Sequence, residues 1–253
     1  MIKHFIIVLF YCSFCLSLVL SMPSAAKSQS LTVAIDHSPP YSYFDDKGRP
    51  SGLIVDVFQE ISRSFNYDFK FVECPWARCV KLVSEGQIDL LAGITKTAER
   101  EQIFAFIEPA FFKRENHFKF YYTDKNLTID NVADLAPLTV GMLRGALHTK
   151  AFDNDQTLSK ETFVDVQSLF NALQKGRVDA IIHSDQVIQP YLAQYDHAHT
   201  IYSSTLSLPA KSEGFIALSK KSPHIALQAQ LSEVLAELEN KGTLATLLSR
   251  YKF

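Results

Sequence analysis

The residues of this chain best placed to do chemistry gather in one stretch, Ser84 to Arg100, SEGQIDLLAGITKTAER. It reads as a helix end, a tight turn at Gly86, a short buried strand from Ile88 to Ala92, then Gly93 and a hydroxyl-bearing loop with Thr95 and Thr97. Arg100 stands where a new helix would start. The helix dipole slightly disfavours an arginine in a first turn, which leans toward a purpose outside helix stability. Part of the pattern recurs at Lys175 to Asp185, KGRVDAIIHSD: glycine, a variable residue, Ile or Val, Asp, then an apolar run into a polar loop. Asp89 and Asp179 look like a carboxylate pair for acid–base work, but both belong to the repeated turn–strand unit and read as structural. Glu73, Glu108 and Glu115 could serve as general acids, although nothing around them marks one as catalytic.

These residues need elements to position them. A matching strand lies upstream of each copy, LTVAI (Leu31 to Ile35) and LTVGM (Leu138 to Met142). A strand–helix–strand plan used twice predicts two similar α/β lobes with facing loops and a small-molecule site between them. Apolar residues at helical spacing (Ile54, Val57, Phe58, Ile61, Phe65) predict a helix over 54–65, followed by a strand over 69–72. Pro75 suits the first turn of a helix that carries Trp76, Cys79, Val80 and Val83. A strand over 116–122 is expected to cross into the second lobe. That lobe should hold the Leu138 strand, a helix over 166–174, the Val178 strand and a helix over 185–195. Pro190 is tolerated only early in this last helix or at a kink. A return strand over 212–218 and two amphipathic helices separated at Gly242 close the chain. The expected division is a signal peptide over 1–26, one discontinuous lobe of 27–113 plus 212–253, and a second lobe of 114–211. Two crossing strands would act as a hinge, with closure around a ligand as the motion.

The N-terminus fits export. Lys3, an apolar run from Phe5 to Leu20, and Ser24-Ala25-Ala26 form a secretory signal pattern. The run is short for a membrane span, and an uncleaved anchor is the alternative. No small-residue lipobox precedes Cys12 or Cys15. Lys and Arg number 25 against 27 Asp and Glu, so no basic excess supports binding to nucleic acid. Cys74 and Cys79 remain, in CPWARC. Two cysteines without a nearby histidine pair make a poor zinc site, and their gap is not the CxxC redox spacing. Export permits a local disulfide, with free thiols as the alternative.

The chain resembles the bacterial extracellular solute-binding proteins of family 3, the periplasmic receptors for polar amino acids. The resemblance rests on LTVAIDHSPPYSYFDDKGRPSGLIVDVFQEI, EGQIDLLAGITKTAEREQIFAF, LTVGMLRGA, GRVDAIIHSD and NKGTLATLLSRY, in that order. It implies a type II two-lobed periplasmic-binding-protein-like α/β fold, with the cleft between lobes joined by two crossing strands. It further implies a monomer without cofactor or metal that carries a small polar solute to the membrane subunits of an ABC transporter. Arg100 matches the arginine that clamps a ligand carboxylate, through a planar fork suited to both oxygens. Thr95 and the backbone at Gly93 would add donors beside it. Trp76 falls where the family sets a side chain against the ligand, with a core anchor as the alternative; Arg78 is a further contact, with a surface arginine as the alternative, and Tyr41, after the Pro-Pro bend at the cleft edge, is either wall or core. In the second lobe, Arg144, Gly145 and Ala146 are expected to open a helix whose free N–H groups favour an anion. Asp185 could meet a ligand ammonium, and Ser184 competes for that position. Ser38 departs from the aromatic common there, and Ala146-Leu147 replaces a hydroxyl-rich pair. The reading that follows is a periplasmic receptor for an amino acid or related carboxylate. Its alternatives are a cyclohexadienyl dehydratase-like lyase on the same fold, or a ligand-sensing partner of a membrane receptor.

Overall fold

Two long strands organise the molecule, β6 (Phe104–Tyr122) and β10 (Tyr202–Ser219), which pair antiparallel from Tyr202 opposite Tyr122 to Ser219 opposite Phe104. The structure is a computed structural model and describes residues 29–65, 67–185, 187–196 and 200–251. The expected signal peptide, with Cys12 and Cys15, lies outside the described residues.

On one side of the long pair stand β1 (Gln29–Ile35), β4 (Tyr67–Glu73) and β5 (Leu90–Ile94); the short strands β2 (Tyr43–Phe44) and β3 (Pro50–Ser51) form a separate hairpin. On the other side stand β7 (Thr139–Leu143), β8 (Ser159–Phe163) and β9 (Ala180–Ser184). The sheet order is β4-β1-β5-β10-β6-β9-β7-β8. In each half the three strands run parallel, and the third pairs antiparallel with a long strand: β5 with the end of β10, β9 with the end of β6. Each long strand therefore begins in one lobe and ends in the other, and the duplicated plan of the sequence becomes two lobes of like topology.

Helices cover the sheet in each half. α1 (Leu53–Ser64) buries Leu53, Ile54, Val57, Phe58 and Ile61 and ends before Phe65, which itself packs into the core. α2 (Trp76–Glu85) stops at Gly86, whose φ of 79° is the left-handed conformation that lets its N–H bond back to Val83. A Cβ there would approach Lys221 to 2.8 Å, so glycine is required twice over. α3 (Ala98–Ile103) and α4 (Lys150–Asn154) are short, and α5 (Val166–Gln174) spans the residues expected. α6 is Gln189–Tyr195, later than the 185–195 expectation, with Pro190 in its first turn. The chain before it stays tied to the sheet, since Asp185 N–H donates to the His117 carbonyl (2.8 Å). α7 (Gln228–Asn240) and α8 (Thr243–Arg250) break at Gly242. Alternation along β1 sends Leu31, Val33 and Ile35 into one apolar cluster and Ala34 into another on the opposite face.

Both crossing strands are longer than the sequence suggested. The ladder skips register opposite Pro109, between the pairs Ile216–Ile107 and Gly214–Phe112. A bulge absorbs a residue that cannot donate to the ladder, so the strand continues through a proline that reads as a stop.

The repeated aspartates are structural fasteners. Asp89 Oδ2 accepts from Thr32 N–H (2.9 Å) and Thr32 Oγ1 (2.7 Å), and Oδ1 accepts from Ser222 Oγ (2.6 Å). Asp179 repeats the bond in the second lobe, accepting from Thr139 N–H at 2.7 Å. Burial alone would raise the Asp89 carboxyl, but the hydrogen bonds from Ser222 and Thr32 outweigh it and hold the group below the usual carboxylate range. A carboxylate depressed in the native state stabilises above its unfolded pKa, and the benefit is lost as pH falls through the folded value. Asp89→Asn should therefore cost roughly 1–3 kcal/mol at pH 7, and more than Asp179→Asn, whose site is exposed. The deficit in urea unfolding should shrink on acidification below about pH 4. Equal deficits at both positions, or one indifferent to acid, would contradict this account.

Candidate functional site

A cavity of about 220 Å³ opens between the lobes. Its first-lobe wall carries Ser38 and Tyr41 from the loop after β1, Ile54 of α1, Trp76 of α2, Gly93 and Thr95 around the end of β5, and Arg100 of α3. Phe112, Arg114 and Phe118 of β6, with Ser212 of β10, line the part between the lobes. Ala146, Leu147, His148, Ile182, His183 and Ser184 form the second-lobe wall.

Local chemistry explains how the first wall is set. A disulfide joins Cys74 to Cys79 (Cα–Cα 5.4 Å) and pins the end of β4 to the first turns of α2, with Trp76 between the two cysteines. Thr97 caps α3 by accepting from Arg100 N–H (3.2 Å), which fixes where the arginine leaves the helix. Its guanidinium then donates through Nη1 to the Thr95 carbonyl (2.9 Å) and through Nη2 to the Gly145 carbonyl in the other lobe (3.3 Å). Trp76 Nε1 donates to the same Gly145 carbonyl (3.1 Å). Farther along, Tyr191 hydroxyl donates to the His37 carbonyl (2.8 Å), also from one lobe to the other. The lobes are thus closed on one another over the cavity.

The Arg144-Gly145-Ala146 expectation needs correction. No helix opens there; Gly145 takes a φ of 75°, and the next helix begins at Lys150 under a Thr149 cap. Arg144 N–H donates to Phe163 carbonyl (2.8 Å) and Ala146 N–H to Leu143 carbonyl (3.2 Å), so these amides are used within the fold. Gly145 offers the cleft a carbonyl in place of an N–H. Ala146 lines the cavity, whereas Arg144 is exposed and outside its lining. Arg78 is likewise exposed on α2 and outside the lining. Asp185 lies outside too, its carboxylate accepting from Tyr121 hydroxyl (2.8 Å) and facing Lys119 Nζ at 3.1 Å. Of the competing pair, Ser184 reaches the wall, buried and bonded to Asn116 Oδ1 (2.6 Å).

Several lining residues were not singled out from sequence. Asp36, just past β1, is a carboxylate on the wall; burial pushes it up to about 6, against hydrogen bonds from the backbone and Ser42. Burial pushes His183 down to about 4, so it is neutral at physiological pH. His148 is held by Asp153, Nδ1 to Oδ1 3.0 Å. Arg114 lies over the rings of Tyr41 (4.9 Å) and Phe112 (5.6 Å), and burial lowers its pKa. A guanidinium so placed keeps its charge. The signal for Arg114 was present: strand alternation puts Phe112, Arg114, Asn116 and Phe118 on one face, a cation between aromatic rings. Asp36 offered none.

A second hollow of about 450 Å³ shares Asp36, Trp76 and Leu143 with the cavity and adds His37, Glu73, Asp165 and Tyr191. Glu108 and Glu115 line neither space; Glu108 pairs with Lys96 at 2.6 Å. Among the described residues no cluster of three or more metal-ligating side chains occurs. The arrangement suits the holding of a small solute with an anionic group, by guanidinium donors on one side and apolar walls on the other.

Comparison with known proteins agrees. Residues 31–129 match the model of the bacterial extracellular solute-binding proteins, family 3. The amino-acid-binding protein AabA of Dichelobacter nodosus is 26% identical over 218 residues, covering 84% of this chain and 83% of that one. A probable histidine-binding protein of Campylobacter jejuni is 23% identical over 229 residues, covering 88% and 86%. Among solved structures, an ancestral arginine-binding protein bound to arginine superposes with a TM-score of 0.73 at 23% identity, covering 88% of this chain and 97% of that one. A mutant of ArgBP from T. maritima gives 0.73 at 22% identity, covering 88% and 94%. These structural likenesses establish the two-lobed fold, and the sequence matches support a solute-binding role: over residues 31–129 the chain is similar to the bacterial extracellular solute-binding proteins, family 3.

Proposed function

We propose that this protein is a non-catalytic, monomeric periplasmic receptor that closes over an amino acid or related carboxylate and presents it to the membrane subunits of an ABC transporter. The observation that carries this reading is Arg100, whose guanidinium lines the cavity while backbone carbonyls of both lobes hold it in place. Thr95, Gly93, Trp76, Tyr41, Ser38, Ala146 and Ser184 line the same space and are assigned to the site with it. Lobes of 27–113 plus 212–253 and of 114–211, behind a cleaved signal peptide of 1–26, complete the reading. Support for an amino-acid class comes from relatives named as amino-acid-, histidine- and L-cystine-binding proteins. A lyase finds no support in Glu108 or Glu115, which stand away from the cavity.

A thermal-shift screen against amino acids and small carboxylates should find a ligand that raises Tm, by about 2.7 kcal/mol of added stability at a hundredfold excess over Kd. Arg100→Ala should then weaken that ligand at least tenfold in calorimetry with little change in the unliganded Tm; unchanged affinity would remove Arg100 from the site. Trp76 is the sole tryptophan and bridges the lobes, so its emission should change saturably with the same ligand. Calorimetric binding with a silent tryptophan would speak against closure over the solute.

A further inference from the structure

The cleft carries two guanidiniums, and the second has no assigned role. Arg114 sits midway along β6 opposite Ser212 of β10, at the crossing between lobes, and both residues line the cavity. Tyr41 and Phe112 lie against its guanidinium, and aromatic faces of this kind fix the plane of the fork and cover its stem. A planar fork held in one orientation is the device that recognises a carboxylate bidentately. The remaining charges on the wall are few. Asp36 is the carboxylate of the lining; Asp185 is turned to Lys119 and Tyr121 outside it, and His183 is uncharged. Two fixed cations against one carboxylate complement a solute with two anionic groups and at most one cationic group. A cationic amino acid would meet the opposite balance.

We propose that Arg114 is a second anion subsite and that the solute carries two carboxylates, one held by Arg100 and the other by Arg114. This rests on the receptor reading above and narrows its substrate class. An acidic amino acid and a dicarboxylate without an ammonium share this chemistry; the former would in addition place its ammonium toward Asp36. Because Arg114 belongs to a crossing strand, the second carboxylate would bind at the hinge itself, and its contact would be felt by both lobes.

The test is isothermal titration of the purified protein at pH 7.5 with pairs that differ in the second carboxylate: glutamate and glutamine, aspartate and asparagine, glutarate and pentanoate. Arginine and histidine are titrated beside them. In at least one pair the two-carboxylate member should bind tenfold or more tightly than its partner. Glutamate against glutarate then separates an amino acid from a plain dicarboxylate. Arg114→Gln should reduce the preference to within about twofold while leaving the weaker, Arg100-dependent binding in place. Arg114→Lys keeps the charge and should retain part of the preference, which guards against a Gln variant that fails to fold. Equal affinities within every pair in the wild type, or tighter binding of arginine or histidine than of any dicarboxylate, would overturn the proposal and leave the receptor reading intact. A folded protein that binds none of these solutes would overturn both.

Discussion

The antiparallel pairing of β6 with β10 is the constraint on which the rest depends. Each strand starts in one lobe and finishes in the other, so the lobes share a continuous ladder and cannot drift apart. They can bend where that ladder is imperfect. It shifts register between Ser203 and Ser207 and again between Gly214 and Ile216. At the second shift the backbone of Gly214 meets the ring of Phe112 so closely that a Cβ would lie 2.2 Å from it. Any larger residue would have to displace a ring that lines the cavity. The hinge and the floor of the site are therefore one piece of structure, which couples domain rotation to whatever occupies the cleft.

Among the described residues, Trp76, Arg100 and Tyr191 reach across the closed cleft. Gly145 carbonyl takes donors from Trp76 and Arg100, and Tyr191 reaches His37. A typical intramolecular hydrogen bond is worth only about 0.5–1.5 kcal/mol net, because the open form gives the same groups to water. A handful of such bonds amounts to a few kcal/mol, against the desolvation of the walls they bring together. A balance of this size is one that a ligand in contact with both lobes can tip, since it needs only a few kcal/mol of differential affinity to reverse the populations.

What was legible in the sequence follows from the range of the forces involved. The repeat of glycine, Ile or Val, and Asp before a buried strand encodes a local unit, so the duplicated lobes and the structural role of Asp89 and Asp179 could be read from it. The position of Arg100 in the first turn of α3 was legible because a helix start after a Gly and Thr loop is a local fact. The segment after β7 was misread because LRGALHTK carries helix-compatible residues, while Gly145 in the left-handed region delays the helix to Lys150. The first crossing strand is longer than its expected 116–122 span because β6 carries the irregularity around Pro109 within itself and keeps its pairing with β10 on either side. Asp36 acquires its character from burial in the folded wall, which no local window contains.

The walls of the cleft differ in kind, and the difference gives binding an order. Charged groups stand on the first lobe and the hinge: Arg100, Arg114 and Asp36. The second lobe offers Leu143, Leu147 and Ile182, a neutral His183, and a His148 whose ring is committed to Asp153. Ala146-Leu147, which stands where a hydroxyl pair is usual in the resemblance, belongs to this apolar wall. Long-range attraction can come only from the charged side, so a charged solute is oriented there while the cleft is open. When the second lobe swings in, it adds few polar contacts and chiefly removes water. Removing water lowers the local dielectric and strengthens the guanidinium contacts already made. On the proposed reading the second lobe would act as a dry lid, and the selectivity of the site would reside in the first lobe and in the hinge residue between them.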